Sequence, residues 1–248
     1  FLGRAHGRRG ALKAVEMALE GGFRVSLDLI LGLPMQEVEK DLKEATSLGV
    51  GHVSAYTLQV EKGTPFALSG LKEDPEREAW AMGKAEAILE GAGLLRYEIS
   101  NFARPGEEAR HNLAYWRNGF WLALGPSAAG QYPGTGPVYA FRRTNPPLPR
   151  WLAGEPPQEE AISPLEHAKE SLMLGLRLKE GVDVEAVERR TGLNLWPSLR
   201  PAALSLAEGG FLEIEGLRLK PTRRAFPLLH GVVLKLWEAL EASTHRRM

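Results

Sequence analysis

Arg24-Val-Ser-Leu-Asp-Leu-Ile-Leu31, bounded by Gly21-Gly22 before it and Gly32 after it, is the run that decides the fold. It is short, apolar and partly β-branched, which suits a strand buried on both faces of a parallel sheet. Asp28 stands inside it, and a buried carboxylate is expected to need a charged or hydrogen-bonding partner. Upstream, Ala11 to Leu19 places Leu12, Val15, Met17, Ala18 and Leu19 at near-helical spacing, ended by the two glycines. Downstream the pattern repeats: a helix over Glu37 to Ser47, a strand over His52 to Gln59, a helix from about Pro75 to Glu90 and a strand over Arg96 to Ser100. Such alternation predicts an α/β fold of βα units with right-handed crossovers, in a parallel sheet or barrel.

Beyond Asn101 the period is lost. Residues 101 to 157 are rich in glycine, proline and aromatics, among them Trp116, Phe120, Trp121, Tyr132, Tyr139 and Phe141. A long segment that is neither charged nor of low complexity reads as a site-forming cap on a rigid scaffold. From Ser163 the order is a helix to about Arg177, a short helix near Val184 to Arg190, a helix from about Leu199 to Glu208, and two alternating runs around Gly216 that read as a hairpin. A last amphipathic helix carries Leu229, Val232, Val233, Leu236 and Leu240. Three helices and a hairpin suggest a winged-helix-like domain. The expected division is 1–105 for the βα units, 106–160 for the cap and linker, and 161–248 for the winged-helix-like domain.

The 248 residues carry 31 basic and 31 acidic side chains, so no net field favours nucleic acid or an anionic membrane. The basic residues Arg218, Lys220, Arg223 and Arg224 of the hairpin region are diluted by Glu208, Glu213 and Glu215, and nucleic acid is not an expected partner. Charges interrupt the apolar stretches well short of the ~20 residues of a membrane span. A cytoplasmic location is expected. The chain has no cysteine, which removes disulfides and thiolate metal sites from it. It opens on Phe1, within the motif-like Leu2-Gly-Arg-Ala-His6, and reads as the C-terminal part of a longer protein whose exposed sheet edge could support a homodimer.

Several residues have the chemistry of a site. Arg4 can grip a carboxylate through its planar fork, or stay solvated. The C-terminal end of the Asp28 strand faces the usual ligand side of a parallel sheet. Gln59 closes the second strand, where an amide could meet a polar ligand. His111 lies with Asn112, Tyr115 and Trp116 among aromatics, a setting for a flat apolar ligand with one coordinating nitrogen, such as haem, or for a surface histidine beside two anchoring rings. In Gly125-Pro-Ser-Ala-Ala-Gly130 the glycines allow close approach of backbone to a ligand, or serve only a tight turn.

Taken in order, LGRAH, SLDLILGLP, HVSAYTLQVEKGTPF, YEISNFARPG, HNLAYW, LALGPSAAG and LMLGLRLKEGVD resemble the radical SAM family that contains oxygen-independent coproporphyrinogen III oxidase and HemW-like haem chaperones. HNLAYW is similar to the HemW branch. The resemblance implies the C-terminal part of an incomplete TIM-type barrel followed by a small C-terminal domain. It also implies S-adenosylmethionine and a [4Fe-4S] cluster, with cluster cysteines that lie before Phe1. By the same resemblance Arg4, Asp28, Gln59 and Ala129 match positions that contact S-adenosylmethionine, although HemW-like sequences commonly carry histidine where this chain has Ala129. His111, Asn112, Tyr115 and Trp116 match the haem-handling motif, with His111 as the haem-iron ligand. Haem, or another porphyrin, and acceptor haemoproteins are the implied partners. Oxidative decarboxylation of coproporphyrinogen III and a non-catalytic winged-helix interaction module are the alternative functions.

Overall fold

The computed structural model describes residues 7 to 245, and Arg4 lies outside them. The chain divides into two compact units, Phe1–Ala109 and Arg110–Met248. The first holds α1 (Arg8–Glu20), β1 (Ser26–Leu31), α2 (Val38–Ser47), β2 (His52–Thr57), α3 (Pro65–Leu68), α4 (Pro75–Gly91), β3 (Leu95–Arg96) and β4 (Asn101–Ala103). The strands form one sheet in the order β1-β2-β4-β3, and β1 and β2 are parallel.

Directly paired residues share a sheet face. Leu31, Val53, Ala55 and Phe102 turn to one face and pack with Leu42 of α2 and with Ala81, Ala85 and Leu89 of α4. Ser26, Asp28, His52, Ser54 and Asn101 hold the opposite face, since Ser26 pairs with His52, Asp28 with Ser54, and Ser54 with Asn101. The expected two-sided burial of the Asp28 strand is therefore corrected: among the described residues β1 is covered on one face, and Ser26 and Asp28 are exposed on the other. Asp28 needs no buried partner.

Of the expected strand over Arg96 to Ser100 only Arg96, the end of β3, lies in a strand, and residues 97–100 form a turn between two short strands. β4 runs antiparallel to both β2 and β3, so the parallel alternation stops at β2. Only a short turn joins β3 to β4, and a parallel return needs a crossover of a dozen or more residues. Side chains hold the turn. Arg96 donates from Nε to the Glu98 carbonyl at 3.1 Å and from Nη2 to the Ile99 carbonyl, and Glu98 Oε1 accepts from the Ser100 N–H at 3.1 Å.

The second unit holds α5 (Arg110–Trp116), β5 (Ala129–Pro133), β6 (Ala140–Thr144), α6 (Leu148–Leu152), β7 (Gln158–Ile162), α7 (Pro164–Gly175), β8 (Val182–Asp183), α8 (Val184–Thr191), α9 (Trp196–Glu208), β9 (Leu212–Glu215), β10 (Arg218–Pro221) and α10 (Leu229–His245). The aperiodic segment is thus more ordered than its composition suggests: it contains α5 and the strands β5 and β6, which form an antiparallel sheet with β7 just beyond it, in the order β5-β6-β7. The hairpin around Gly216 is present, with Gly216 at φ +62°, and β10 sits between β9 and β8. α7 opens on a capping box. Ser163 accepts from the Glu166 N–H, and the Glu166 carboxylate accepts from the Ser163 N–H. The core of this unit includes Leu172, Leu176, Leu199, Leu219 and Leu236, each without exposed surface.

Candidate functional site

α5 carries the segment His111-Asn-Leu-Ala-Tyr-Trp116, and helical geometry sorts its functional residues into two pairs. His111 and Tyr115 are four apart, as are Asn112 and Trp116, so each pair shares a face. The faces are offset by one residue, roughly 100° around the axis. On the first, the exposed His111 ring meets Tyr115 edge-on at 4.5 Å, and Tyr115 meets Trp121 edge-on at 4.8 Å. Trp121 is anchored in turn, its Nε1–H donating to the Ala129 carbonyl at 2.9 Å. On the second face Arg177 lies over the Trp116 ring at 5.3 Å. Trp116 also borders a cleft of about 340 Å³, whose rim holds the ion pairs Arg117–Glu180 and Arg218–Asp183.

Ala129 is exposed at the start of β5, and its backbone rather than its methyl group anchors the ladder. Gly130 beside it has a steric reason. A Cβ there would lie 2.6 Å from the Ala123 nitrogen and 3.0 Å from the Trp121 carbonyl oxygen.

α5 ends at Trp116, and two residues on Asn118 adopts a left-handed conformation (φ +51°) and is buried. The Gly119 N–H reaches back to the Ala114 carbonyl at 3.0 Å and closes the helix end. The Asn118 carboxamide is fully used. Nδ2 lies 3.1 Å from His167 Nδ1, 3.2 Å from Ser171 Oγ and 3.3 Å from the His167 carbonyl, while Oδ1 accepts from Gln131 Nε2 at 3.1 Å. Gln131 Oε1 meets Arg142, and Arg142 is paired with Glu170 at 2.7 Å.

His167 has no exposed surface, and Tyr139 stacks on it at 3.9 Å. Burial, with the nearby positive Arg190 second, pushes its pKa down to about 4, so it is neutral in the fold at pH 7. Nδ1 accepts from Asn118, which places the proton on Nε2, a buried nitrogen without a partner among the described residues.

In the first unit the polar sheet face gathers other titratable groups. His52 is bonded on both sides, Nδ1 to Ser26 Oγ at 2.7 Å and Nε2 to the Tyr97 hydroxyl at 2.9 Å, and burial lowers its pKa. Burial raises the pKa of Glu98. Asp28, Ser54 and Asn101 form a row across three strands, and Asn101 Oδ1 is buried without a partner among the described residues. Gln59 is exposed in the loop after β2. Among the described residues, no three His, Asp or Glu side chains converge as a metal site.

The sequence reading singled out His111, Tyr115, Ala129 and Asp28 one by one, and the structure joins the first three through Trp121. The sequence reading missed Asn118, His167, Gln131, Glu98 and Asn101. A usable signal for Asn118 was the Asn118-Gly119 pair, separated from the aromatic motif by Arg117 alone, a helix-stop signature.

Comparison with known proteins agrees with this geometry. Residues 162–228 match the HemN C-terminal domain. The chain superimposes with a TM-score of 0.72 on coproporphyrinogen III oxidase (HemN) from Escherichia coli, covering 94% of this chain and 59% of that one at 17% identity. The fold is therefore the α/β fold of a HemN-type radical SAM enzyme. By sequence, the chain is 36% identical over 201 residues to the heme chaperone HemW of Haemophilus influenzae (78% of this chain, 52% of the relative). It is 39% identical over 194 residues to HemW of Synechocystis sp. (73% and 47%). It belongs to the family that contains HemN and HemW, and it spans about half the length of these curated relatives.

Proposed function

We propose that this chain serves in a HemW-like haem chaperone, binding haem at α5 and handing it to acceptor haemoproteins. The observation that carries the proposal is the exposed His111 imidazole, held by Tyr115, Trp121 and the Ala129 carbonyl, in a chain similar to heme chaperones. A histidine seated against aromatic rings and open on its other side suits an axial ligand to haem iron. Asn112 and Trp116, on the neighbouring face, would stiffen the helix rather than share one flat ligand surface with His111.

The polar sheet face fits the nucleoside part of S-adenosylmethionine: Asp28 offers an exposed carboxylate to ribose hydroxyls, and Asn101 Oδ1 has no donor among the described residues. Gln59 would contribute its backbone, and Ala129 and Arg4 remain family-based assignments. When bound, S-adenosylmethionine supplies radical chemistry in this family. The residues of this chain do not fit a [4Fe-4S] cluster, because it has no cysteine, and no step is derived through one.

By the same reading, 1–105 contributes βα units of an incomplete TIM-type barrel, 106–160 a cap and linker, and 161–248 a winged-helix-like domain. The proposed setting is cytoplasmic, with a homodimer as the proposed assembly. Among the described residues no helix is long and apolar enough to cross a membrane.

Haem transfer tests the proposal. The chain loaded with haem is mixed with an apo-globin, and the globin absorption spectrum is followed. Appearance of holo-globin faster than from the same haem bound to serum albumin supports delivery. Haem that never loads, or never leaves, refutes it.

A further inference from the structure

Asn118 stands in a left-handed conformation that glycine adopts without cost, yet the position is an asparagine. Its side chain explains the choice. Two Nδ2 hydrogens are shared among His167 Nδ1, the His167 carbonyl and Ser171 Oγ, and Oδ1 takes a hydrogen from Gln131. His167 and Ser171 lie on α7, inside the segment that matches the HemN C-terminal domain, whereas α5 lies before that segment.

A seven-residue helix is too short to be stable on its own. Its position is set by what holds its end. Asn118 is the first residue past Arg117, and Arg117 is itself tied by its carbonyl to Arg190 Nη1 at 3.2 Å. Because Asn118 has no free hydrogen-bonding group and is buried, it cannot shift without leaving several buried polar atoms unpaired.

We infer that Asn118 is a positioning residue, which clamps α5 to α7 through His167 and so fixes where the His111–Tyr115 pair points. The inference rests on the haem reading for its functional consequence, since His111 is the proposed ligand. The clamp makes no contact with haem. It acts through the helix, in the way that supporting hydrogen bonds hold a binding group in its working geometry.

The test has a readout that needs no haem. In the 248-residue chain, the His111 ring protons feel the Tyr115 ring, and NMR reports that contact. Asn118→Gly keeps the left-handed backbone and deletes the carboxamide. The His111 resonances should move toward those of a solvated histidine while the thermal melt stays cooperative. Haem affinity should fall by about tenfold, with the absorption spectrum shifting toward that of His111→Ala. Unchanged His111 resonances in Asn118→Gly would overturn the inference whatever haem does.

Equal haem titrations for the unmodified chain and His111→Ala, together with moved resonances, would overturn the haem reading and the functional role while leaving the clamp standing. If Asn118→Gly does not fold, Ser171→Ala removes only one acceptor of the clamp. A smaller shift in the same direction is then expected, and no shift overturns the inference.

Discussion

Acid should unlock the second unit at one identifiable group. His167 is fully buried, with a pKa near 4 in the fold against 6.5 for an ordinary histidine. In the unfolded chain it takes up a proton as the pH falls below 6.5, whereas in the fold it resists until about 4. Across that window the unfolded state binds more protons, so stability rises with pH. The contribution is complete above 6.5, is lost progressively as the pH falls, and changes no further below about 4. A gap of roughly two and a half pH units corresponds to about 3 kcal/mol. The geometry accounts for the cost: a protonated Nδ1 would turn a donor toward the Asn118 amide, which already donates to it.

The assay is urea unfolding followed by tryptophan fluorescence, because five of the six tryptophans lie beyond residue 110. His167→Gln is the comparator. Its amide oxygen can accept from Asn118, it does not titrate, and the other ionisable groups cancel in the difference. Between about pH 7.5 and about pH 4 the unmodified chain should lose about 3 kcal/mol more than the variant. Two curves that stay parallel to within about 0.5 kcal/mol would refute the neutral buried state of His167.

Three other changes have definite expected outcomes in the same unfolding assay or in circular dichroism. Gly181→Ala should cost roughly 2–4 kcal/mol, since φ is +71° and the new Cβ would meet the Leu219 carbonyl oxygen at 2.0 Å. Phe102→Ala should destabilise the first unit by about 3–5 kcal/mol, because the ring has no exposed surface and lies in the core between the sheet and α4. Ser163→Ala should cost about 1 kcal/mol by opening the capping box of α7, and Ser163→Asp should restore most of it.

Local signals in the sequence predicted local structure well. The alternation around Gly216 specifies a hairpin because strand period and turn glycine agree within ten residues. β1 was legible as a strand from its apolar run, but the exposure of one of its faces was not. Which neighbour lies on its open side is a property of the sheet, so the exposure of Asp28 could not be read from the run itself. The turn at Glu98 and Asn101 was hidden for a related reason: Arg96 and Glu98 satisfy their own local backbone, and nothing in RYEIS announces it. α5 spans two turns, too short for a period to emerge among glycines and aromatics. His111 and Tyr115 were visible as residue types, and their pairing with Trp121 came only from the fold. The Asn118–His167 clamp joins residues 49 positions apart, a separation at which no motif spacing operates.

Binding of haem through His111 is the central claim, and the most direct measurement is the absorption and resonance Raman spectrum of ferric haem added to the chain and to His111→Ala. One equivalent of haem bound by the unmodified chain, with an iron–histidine signature that is missing in the variant, is the predicted result. Identical spectra and affinities for the two proteins would contradict it.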